Sequence, residues 1–140
     1  GPIKGHLLHT HLGATRTHSN RLLVAGDAAG LVSPLTGEGI AAGMWSGEVA
    51  ARQALKALDG GEVSAAGLAP YTRTLRARYH ADQRAGRALR SVLRFPRVLN
   101  RVVRNMRRDA ALAALFGQVF LDEASPLRLL APGTLRRLIR

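Results

Sequence analysis

The sequence predicts an α/β chain in which a short β region precedes a long helical region. Residues 1–26 contain an alternating pattern and a continuous apolar run, and residues 27–60 contain a glycine-rich stretch followed by a helical pattern. Apolar stripes at helical spacing then run through residues 68–140. With 140 residues, of which 46% are hydrophobic, the chain has the composition of a folded domain or part of one. It has no cysteine, which excludes disulfides, thiolate catalysis and cysteine-based zinc sites.

Two strands are expected in the β region. Residues 7–12 alternate with a period of two, which predicts a half-buried strand. Asn20 predicts a turn before a second strand over residues 21–25. The second strand is a continuous apolar run, which is typical of a strand that is buried on both faces.

The first helix is predicted over residues 38–58 and ends at Asp59-Gly60-Gly61. Gly39, Gly43 and Gly47 recur every four residues on one face of it. Because a glycine in a helix interior costs about 1 kcal/mol relative to alanine, three on one face need a reason. We expect another backbone or a flat ligand to approach this face closely.

The remaining chain is expected to be helical after a loop over residues 66–70, with Pro70 in the first turn of the next helix. An apolar stripe over residues 71–93 is broken at Pro96, and two further stripes cover residues 98–106 and 112–120. Two short helices follow, begun by Ser125-Pro126 and by Pro132-Gly133-Thr134, with Thr134 as the N-cap of the last.

The stretch GDAAGLVSPLTGEGI, from Gly26 to Ile40, links the second predicted strand to the first helix. Asp27 follows the carboxyl end of that strand, where ligands of open α/β sheets bind, and a carboxylate accepts hydrogen bonds from ligand hydroxyls. The first N–H groups of the helix carry a partial positive charge that attracts anions. The stretch predicts a site for a polar, partly anionic ligand, and an ordinary turn with an aspartate cap is the alternative.

The combination of the two halves of this stretch is more specific than either half. Gly26-Asp27-Ala28-Ala29-Gly30, three residues, then Pro34-Leu35-Thr36-Gly37-Glu38-Gly39-Ile40 resembles the second flavin motif of the geranylgeranyl reductase family. That family shares a group of FAD-dependent enzymes with para-hydroxybenzoate hydroxylase and the flavin-dependent halogenases. The resemblance is strong over residues 21–58 and is weaker but consistent to the C-terminus.

The resemblance implies FAD as cofactor and reduction of isoprenoid carbon–carbon double bonds by hydride transfer as the activity. It also implies the C-terminal part of an FAD/NAD(P)-binding, Rossmann-type fold of the GR2 type. In this interpretation residues 1–60 end the FAD-binding domain, with the flavin motif at residues 26–40, and residues 68–140 form a basic helical C-terminal region.

The same resemblance assigns roles within the motif. Asp27 would bind the ribityl hydroxyls, and the backbone around Gly37 to Gly39 would approach the isoalloxazine ring and stabilise negative charge on reduced flavin. Pro34 and Leu35 would lie near the ring. The predicted cofactor-binding residues are Gly26, Asp27, Ala28, Gly30, Pro34, Leu35, Thr36, Gly37, Glu38, Gly39 and Ile40. No catalytic residue is assigned.

The printed sequence lacks the G-x-G-x-x-G motif with which the family holds the FAD pyrophosphate. We therefore expect the C-terminal portion of a reductase, one that holds FAD poorly on its own and depends on a missing N-terminal FAD-binding segment. Expected partners are an isoprenoid or prenylated lipid substrate and an electron donor, either NAD(P)H or a ferredoxin-like protein. A flavin-dependent monooxygenase or halogenase is the alternative enzyme, against which the PLTGEGI segment argues.

The charge of the chain opens another class of function. The net charge is +12, and residues 71–108 contain 12 arginines and a single acidic residue, Asp82. Such a region attracts anionic partners, so a basic helical module for membranes or nucleic acid is the alternative outside the enzymes. Nucleic acid is disfavoured because aromatic residues are sparse and no nucleic-acid-binding signature is present. His9 and His11 share a face of the first predicted strand, but no third ligand has suitable spacing, so no metal site is predicted.

We expect a protein of the cytoplasm that makes peripheral contact with anionic membranes. Each arginine close to an anionic lipid surface adds about 1 kcal/mol of attraction. Vesicle cosedimentation should therefore require anionic lipid and decline as salt is added. Binding that ignores salt, or no binding at all, would contradict this prediction.

Overall fold

The computed structural model describes Gly1, Pro2, Gly5 and residues 8–139, with only the backbone of Ile139. In these residues the chain is mostly helical, with one two-stranded sheet. The strands are β1 (His18–Ser19) and β2 (Leu22–Leu23). The helices are α1 (Ile40–Asp59), α2 (Ala65–Leu93), α3 (Pro96–Arg108), α4 (Ala110–Phe120) and α5 (Pro132–Ile139). Short 3₁₀ helices cover Gly26–Ala29 and Pro126–Leu130.

The sheet is an antiparallel hairpin, in which His18 pairs with Leu23 and Ser19 with Leu22. The predicted turn at Asn20 is confirmed, and Arg21 completes it with a positive φ of 57°. The second predicted strand is wrong in length and burial, since only two of its five residues pair and Leu22 is 51% exposed. The first predicted strand is wrong for residues 8–12, which form no strand, and its first residue, residue 7, lies outside the described residues.

Helix α1 begins at Ile40, two residues after the predicted start, and its N-cap residue is Gly39. The expected approach of another backbone to its glycine face is confirmed at Gly43, where an added Cβ would lie 3.9 Å from Cα of Gly26. At Gly39 the neighbour is a side chain instead, since an added Cβ would lie 2.7 Å from Oδ1 of Asp27. At Gly47 no backbone approaches, because no atom of the described residues lies within 4 Å of an added Cβ.

Helix α2 begins earlier than predicted, so the expected loop over residues 66–70 is wrong. The hydroxyl of Ser64 accepts a hydrogen bond from the Gly67 N–H (3.3 Å), and the Asn20 side chain accepts one from the Ala65 N–H (2.7 Å). These side chains satisfy donors that would otherwise favour a later helix start. Pro70 consequently lies inside the helix and not in its first turn.

The break at Pro96 is confirmed, since α2 ends at Leu93 and Pro96 is the first residue of α3. Asp109 is the N-cap of α4, and its carboxylate accepts from the Leu112 N–H at 3.0 Å and also pairs with Arg137. These bonds to Arg137 and Leu112 hold the pKa of Asp109 below its usual value. Thr134 lies within α5, so its predicted role as N-cap is wrong.

The contacts divide the chain into two compact units. The first unit contains residues 1–33 and 37–80, and the second contains residues 34–36 and 81–140. The core of the first unit is formed by the buried side chains of Leu12, Ala29, Leu31, Ala42, Tyr71 and Leu75. The core of the second unit is formed by those of Leu89, Val102, Leu112, Phe116, Val119, Leu129 and Leu138.

Among the residues that the structure describes, no helix combines the length and the apolar character that a bilayer crossing requires.

Candidate functional site

The predicted motif opens with a 3₁₀ turn that directly follows the hairpin. The turn spans Gly26–Ala29 and is closed by the Gly30 N–H, which donates to the Asp27 carbonyl at 2.9 Å. Gly26 and Gly30 have positive φ angles of 60° and 73°, which favour glycine. Asp27 and Ala28 are exposed, whereas Gly30 is buried. The turn therefore presents the carboxylate of Asp27 on the surface while its closing residue packs inside.

Helix α1 holds this turn in place through Ser46, a fully buried serine. Its hydroxyl accepts a hydrogen bond from the Gly26 N–H at 2.9 Å and donates one to the Gly43 carbonyl at 3.1 Å. Gly26 and Gly43 also meet backbone to backbone, since a Cβ on Gly26 would lie 3.5 Å from Cα of Gly43. The position of the turn is thus fixed by the first half of α1.

Helix α2 supports the same arrangement from Tyr71, which is fully buried. The Tyr71 hydroxyl donates to the carbonyl of Val24 at 2.9 Å, and the Ser46 carbonyl lies 3.4 Å from it. Burial raises the pKa of Tyr71 to about 12, so the hydroxyl stays protonated as a donor at physiological pH. The end of the hairpin is thereby tied to α2 as well as to α1.

The Gly37–Gly39 part of the motif belongs to a closed loop that leads into α1. The Gly37 N–H donates to the Ser33 carbonyl at 3.0 Å, and the Ser33 N–H donates to the Glu38 carbonyl at 2.7 Å. Gly37 has a φ of 79° and is exposed, with no atom of the described residues within 4 Å of an added Cβ. Glu38 and Ile40 are exposed as well, and Ile40 reaches 75%.

Pro34, Leu35 and Thr36 are grouped with the second unit. A Cβ on Gly86, in the last third of α2, would lie 2.9 Å from Cγ of Pro34, so the glycine permits the ring of Pro34 to pack on the helix. Leu35 packs against the core of the second unit. Pro34 and Leu35, which the resemblance places near the flavin ring, are therefore anchored on the last part of α2.

The structure places Asp27 beside the start of α1, the two features from which the sequence predicted a ligand site. A Cβ on Gly39 would lie 2.7 Å from Oδ1 of Asp27, so the carboxylate stands directly beside the N-cap residue. The N-cap residue of α1 is a glycine, which supplies no side-chain cap to the first turn. The N–H groups of a first turn have no intrahelical acceptor and carry partial positive charge. An exposed acceptor and a donor-rich helix start thus lie side by side in the first unit.

This arrangement combines the two functions that a ligand with both hydroxyls and negative charge needs. The Asp27 carboxylate can accept hydrogen bonds from hydroxyls, and the helix start can stabilise an anionic or electron-rich oxygen. Because Gly39 has no Cβ, the carboxylate of Asp27 can lie this close to the helix start. The roles of the eleven predicted residues themselves stay predictions.

Sequence reasoning missed Ser46 and treated Tyr71 as a simple core residue. Both are buried polar groups that hold the turn, and a serine in the middle of an apolar helix face was the available signal. Trp45 is half-buried and packs edge-to-face on Tyr79, with ring centroids 5.4 Å apart. No group of three metal-ligating side chains occurs in the part of the chain that the structure describes.

A cavity of about 390 Å³ in the first unit lies beside β2 and the second half of α1, with Leu22, Ala54 and Leu58 in its lining. None of its lining residues belongs to the predicted motif. This cavity is therefore separate from the predicted cofactor-binding residues and is no evidence for a ligand at the motif.

Sequence comparison relates the chain to reductases. A protein from Methanospirillum hungatei is 43% identical over 63 residues, which cover 45% of this chain and 16% of that protein. One from Methanothermobacter thermautotrophicus is 47% identical over 58 residues, which cover 41% of the chain and 15% of that protein. A second protein of that organism is 34% identical over 117 residues, which cover 82% of the chain and 29% of that protein.

All three are digeranylgeranylglycerophospholipid reductases by name. The resemblance to the geranylgeranyl reductase family that the motif indicated is therefore confirmed, and the chain is homologous to these enzymes. It spans less than a third of the length of each relative. No protein-family model matches the chain. No solved structure matches it.

Proposed function

We propose that this chain supplies the second flavin motif of an FAD-dependent reductase that acts on the double bonds of an isoprenoid lipid. The observation that carries the proposal is the position of the Asp27 carboxylate beside the start of α1, where a Cβ on the N-cap residue Gly39 would lie 2.7 Å from Oδ1 of Asp27. The names of the relatives, which refer to reductases of a digeranylgeranyl glycerophospholipid, support the substrate class.

The residues of the first unit fit the cofactor chemically. A ribityl chain offers hydroxyls to a carboxylate such as that of Asp27, and reduced flavin carries negative charge that the start of α1 would stabilise. FAD, when bound and reduced, supplies the hydride for the double bond. Ser46 and Tyr71 would act indirectly, because they fix the turn that carries Asp27. The roles of Pro34, Leu35 and Thr36 are proposed on the resemblance alone.

The proposed reductase is completed by polypeptide that holds the FAD pyrophosphate, since the printed sequence contains no G-x-G-x-x-G. NAD(P)H or a ferredoxin-like protein is the proposed electron donor. The proposed flavoprotein meets membranes only at their surface, where lipid substrates are accessible.

The test uses the complete polypeptide that the gene encodes. Purified without added cofactor, it should show the visible absorbance spectrum of a flavin and release FAD on denaturation. After anaerobic reduction it should hydrogenate a geranylgeranylated glycerophospholipid, and mass spectrometry should show a gain of two hydrogens for each double bond. Incorporation of oxygen into the lipid would instead support a monooxygenase. A polypeptide that binds no flavin would contradict both enzyme proposals.

Replacement of Asp27 with alanine tests the role of the carboxylate in that polypeptide. Hydrogen bonds to charged groups are worth about 1.5–3 kcal/mol, so FAD affinity should decrease by roughly 10-fold to 100-fold. Fluorescence titration of the apoprotein with FAD measures it. Asp59→Ala, at the exposed C-terminal end of α1, is the matched control and should leave the affinity unchanged. Equal FAD affinities for the two variants would remove Asp27 from the cofactor site.

A further inference from the structure

We propose that the second unit contains a ligand site of its own, a cavity that holds one anionic amphiphile. Its aliphatic chain would lie in the cavity and its anionic head would contact Arg97 and Arg101. This inference uses only residues of the second unit and does not depend on flavin binding by the first.

The cavity has a volume of about 450 Å³ and lies among the end of α2, α3, α4, α5 and the second 3₁₀ helix. Ligand pockets in proteins have volumes of about 300–1,000 Å³ and are lined mainly by apolar side chains with a few polar groups. Apart from the two arginines, the lining of this cavity consists entirely of aliphatic and aromatic residues. In size and chemistry it therefore matches a site for an aliphatic chain.

The burial of the lining residues distinguishes the floor of the cavity from its mouth. Leu89, Val102 and Phe116 are 5–6% exposed and form part of the floor. Val92 is 52% exposed, and both arginines are exposed, which places these three at the mouth. An occupant would thus have its apolar end inside and its polar end towards solvent.

The charge at the mouth selects the head group. Arg97 and Arg101 are one turn apart on α3, so both guanidinium groups can reach the same ligand head. Within the described residues neither arginine forms an ion pair with an acidic side chain, and the cavity lining contains no acidic residue. Arginine binds phosphate and carboxylate oxygens in a planar, two-pronged geometry. An anionic head on these two residues would satisfy charges that the described residues leave unpaired.

An amphiphile uses both features of the site, whereas simpler ligands use only one. Inorganic phosphate would contact the arginines and leave the apolar lining in water. A neutral hydrocarbon alcohol would fill the cavity and leave the arginines without a counter-charge. Only a ligand that has both an aliphatic chain and an anionic head gains free energy from apolar burial and from the charge contact together.

Isothermal titration calorimetry of the full 140-residue chain with decyl phosphate, below its micelle concentration, tests the proposal. Decyl phosphate should bind more tightly than decanol or inorganic phosphate, and its affinity should decrease with added salt. Equal affinity for decyl phosphate and decanol would overturn the role of the arginines. Equal affinity for decyl phosphate and inorganic phosphate would overturn the role of the cavity. Failure of decyl phosphate to bind would overturn the site.

Variants separate this cavity from the general charge of the chain. Arg97→Gln with Arg101→Gln should weaken decyl phosphate binding by roughly 2-fold to 30-fold, the range expected for the loss of two exposed ion pairs. The matched control is Arg104→Gln with Arg108→Gln, which removes equal charge from exposed positions of α3 outside the cavity lining. Equal weakening by the two double variants would show non-specific attraction and overturn the proposal.

A variant that closes the cavity gives an independent test. Ala88 is exposed and lines the cavity, so Ala88→Trp can obstruct it without enlarging the buried core. Decyl phosphate binding should then be lost while the far-ultraviolet circular dichroism spectrum stays that of the parent chain. Retained affinity in a folded Ala88→Trp chain would place the ligand elsewhere and contradict the proposal.

Discussion

Replacement of Gly30 with alanine is expected to lower the free energy of unfolding of the first unit by about 2–5 kcal/mol. Two costs add up at this position. An L-residue pays for the φ of 73°, and its Cβ would lie 2.6 Å from the backbone carbonyl oxygen of His11. Because that atom belongs to the main chain, the clash can be relieved only by moving the segment that carries Leu12, which is 2% exposed in the core.

Trp45 provides the measurement, because it is the single tryptophan and lies in the first unit. Its fluorescence during urea unfolding should show a lower transition midpoint for Gly30→Ala. Gly37→Ala is the matched control: Gly37 has a similar φ of 79° but open space around an added Cβ. The control should lose only about 1–2 kcal/mol, the cost of the left-handed conformation. Equal losses would contradict the close approach of the His11 carbonyl to Gly30.

Replacement of Leu112 with alanine should cost the second unit about 2–5 kcal/mol, the range for buried leucines in well-packed cores. Leu112 is fully buried in the first turn of α4 and belongs to the core formed with Leu89 and Val102. Truncation removes its apolar contacts and leaves a cavity that the surrounding helices fill only partly. The measurement is chemical unfolding followed by far-ultraviolet circular dichroism.

Leu121→Ala is the control for this change. Leu121 follows α4 directly and is 71% exposed, so its truncation should change the free energy of unfolding by no more than about 0.5 kcal/mol. If the two leucine variants unfolded at the same urea concentration, Leu112 would not be part of a packed core.

The helices were predictable because their signals are local and repeated. The stripe from Tyr71 to Leu93 repeats at helical spacing, and Pro96 interrupts it for a steric reason that needs no tertiary context. The start of α2 was not predictable in this way. It depends on hydrogen bonds to the side chains of Ser64 and Asn20. Asn20 accepts its bond from the Ala65 N–H, which lies 45 residues further along the chain.

The β region was poorly predicted because strands depend on partners that a sequence pattern does not supply. The apolar run at residues 21–25 suggests burial on both faces, yet in the described residues its one partner is the short strand His18–Ser19. The described chain is accordingly mostly helical, and the Rossmann-type sheet stays an expectation of the resemblance.

The residues of the candidate turn could be predicted from the sequence, but the side chains that hold the turn in place could not. Glycines and an aspartate between a strand and a helix predict a ligand turn from backbone geometry alone, and the structure brings Asp27 to the start of α1. Ser46 and Tyr71 were not assigned because their function consists of hydrogen bonds to distant backbone groups. The serine on an apolar helix face indicates a buried polar group, but the local sequence does not identify its partner, and Tyr71 gives no such signal.

The hydrogen bond between Gly26 and Ser46 makes this site depend on the number of residues that separate the turn from the serine. The two residues are separated by 20 positions, and a one-residue insertion or deletion inside α1 before Ser46 would rotate the serine by about 100° away from the turn. In an alignment of related sequences, an insertion or deletion in this part of α1 would therefore indicate loss of the anchored turn more reliably than the substitution of any single residue. The motif is better described as a fixed interval that ends in a buried hydroxyl than as a string of glycines.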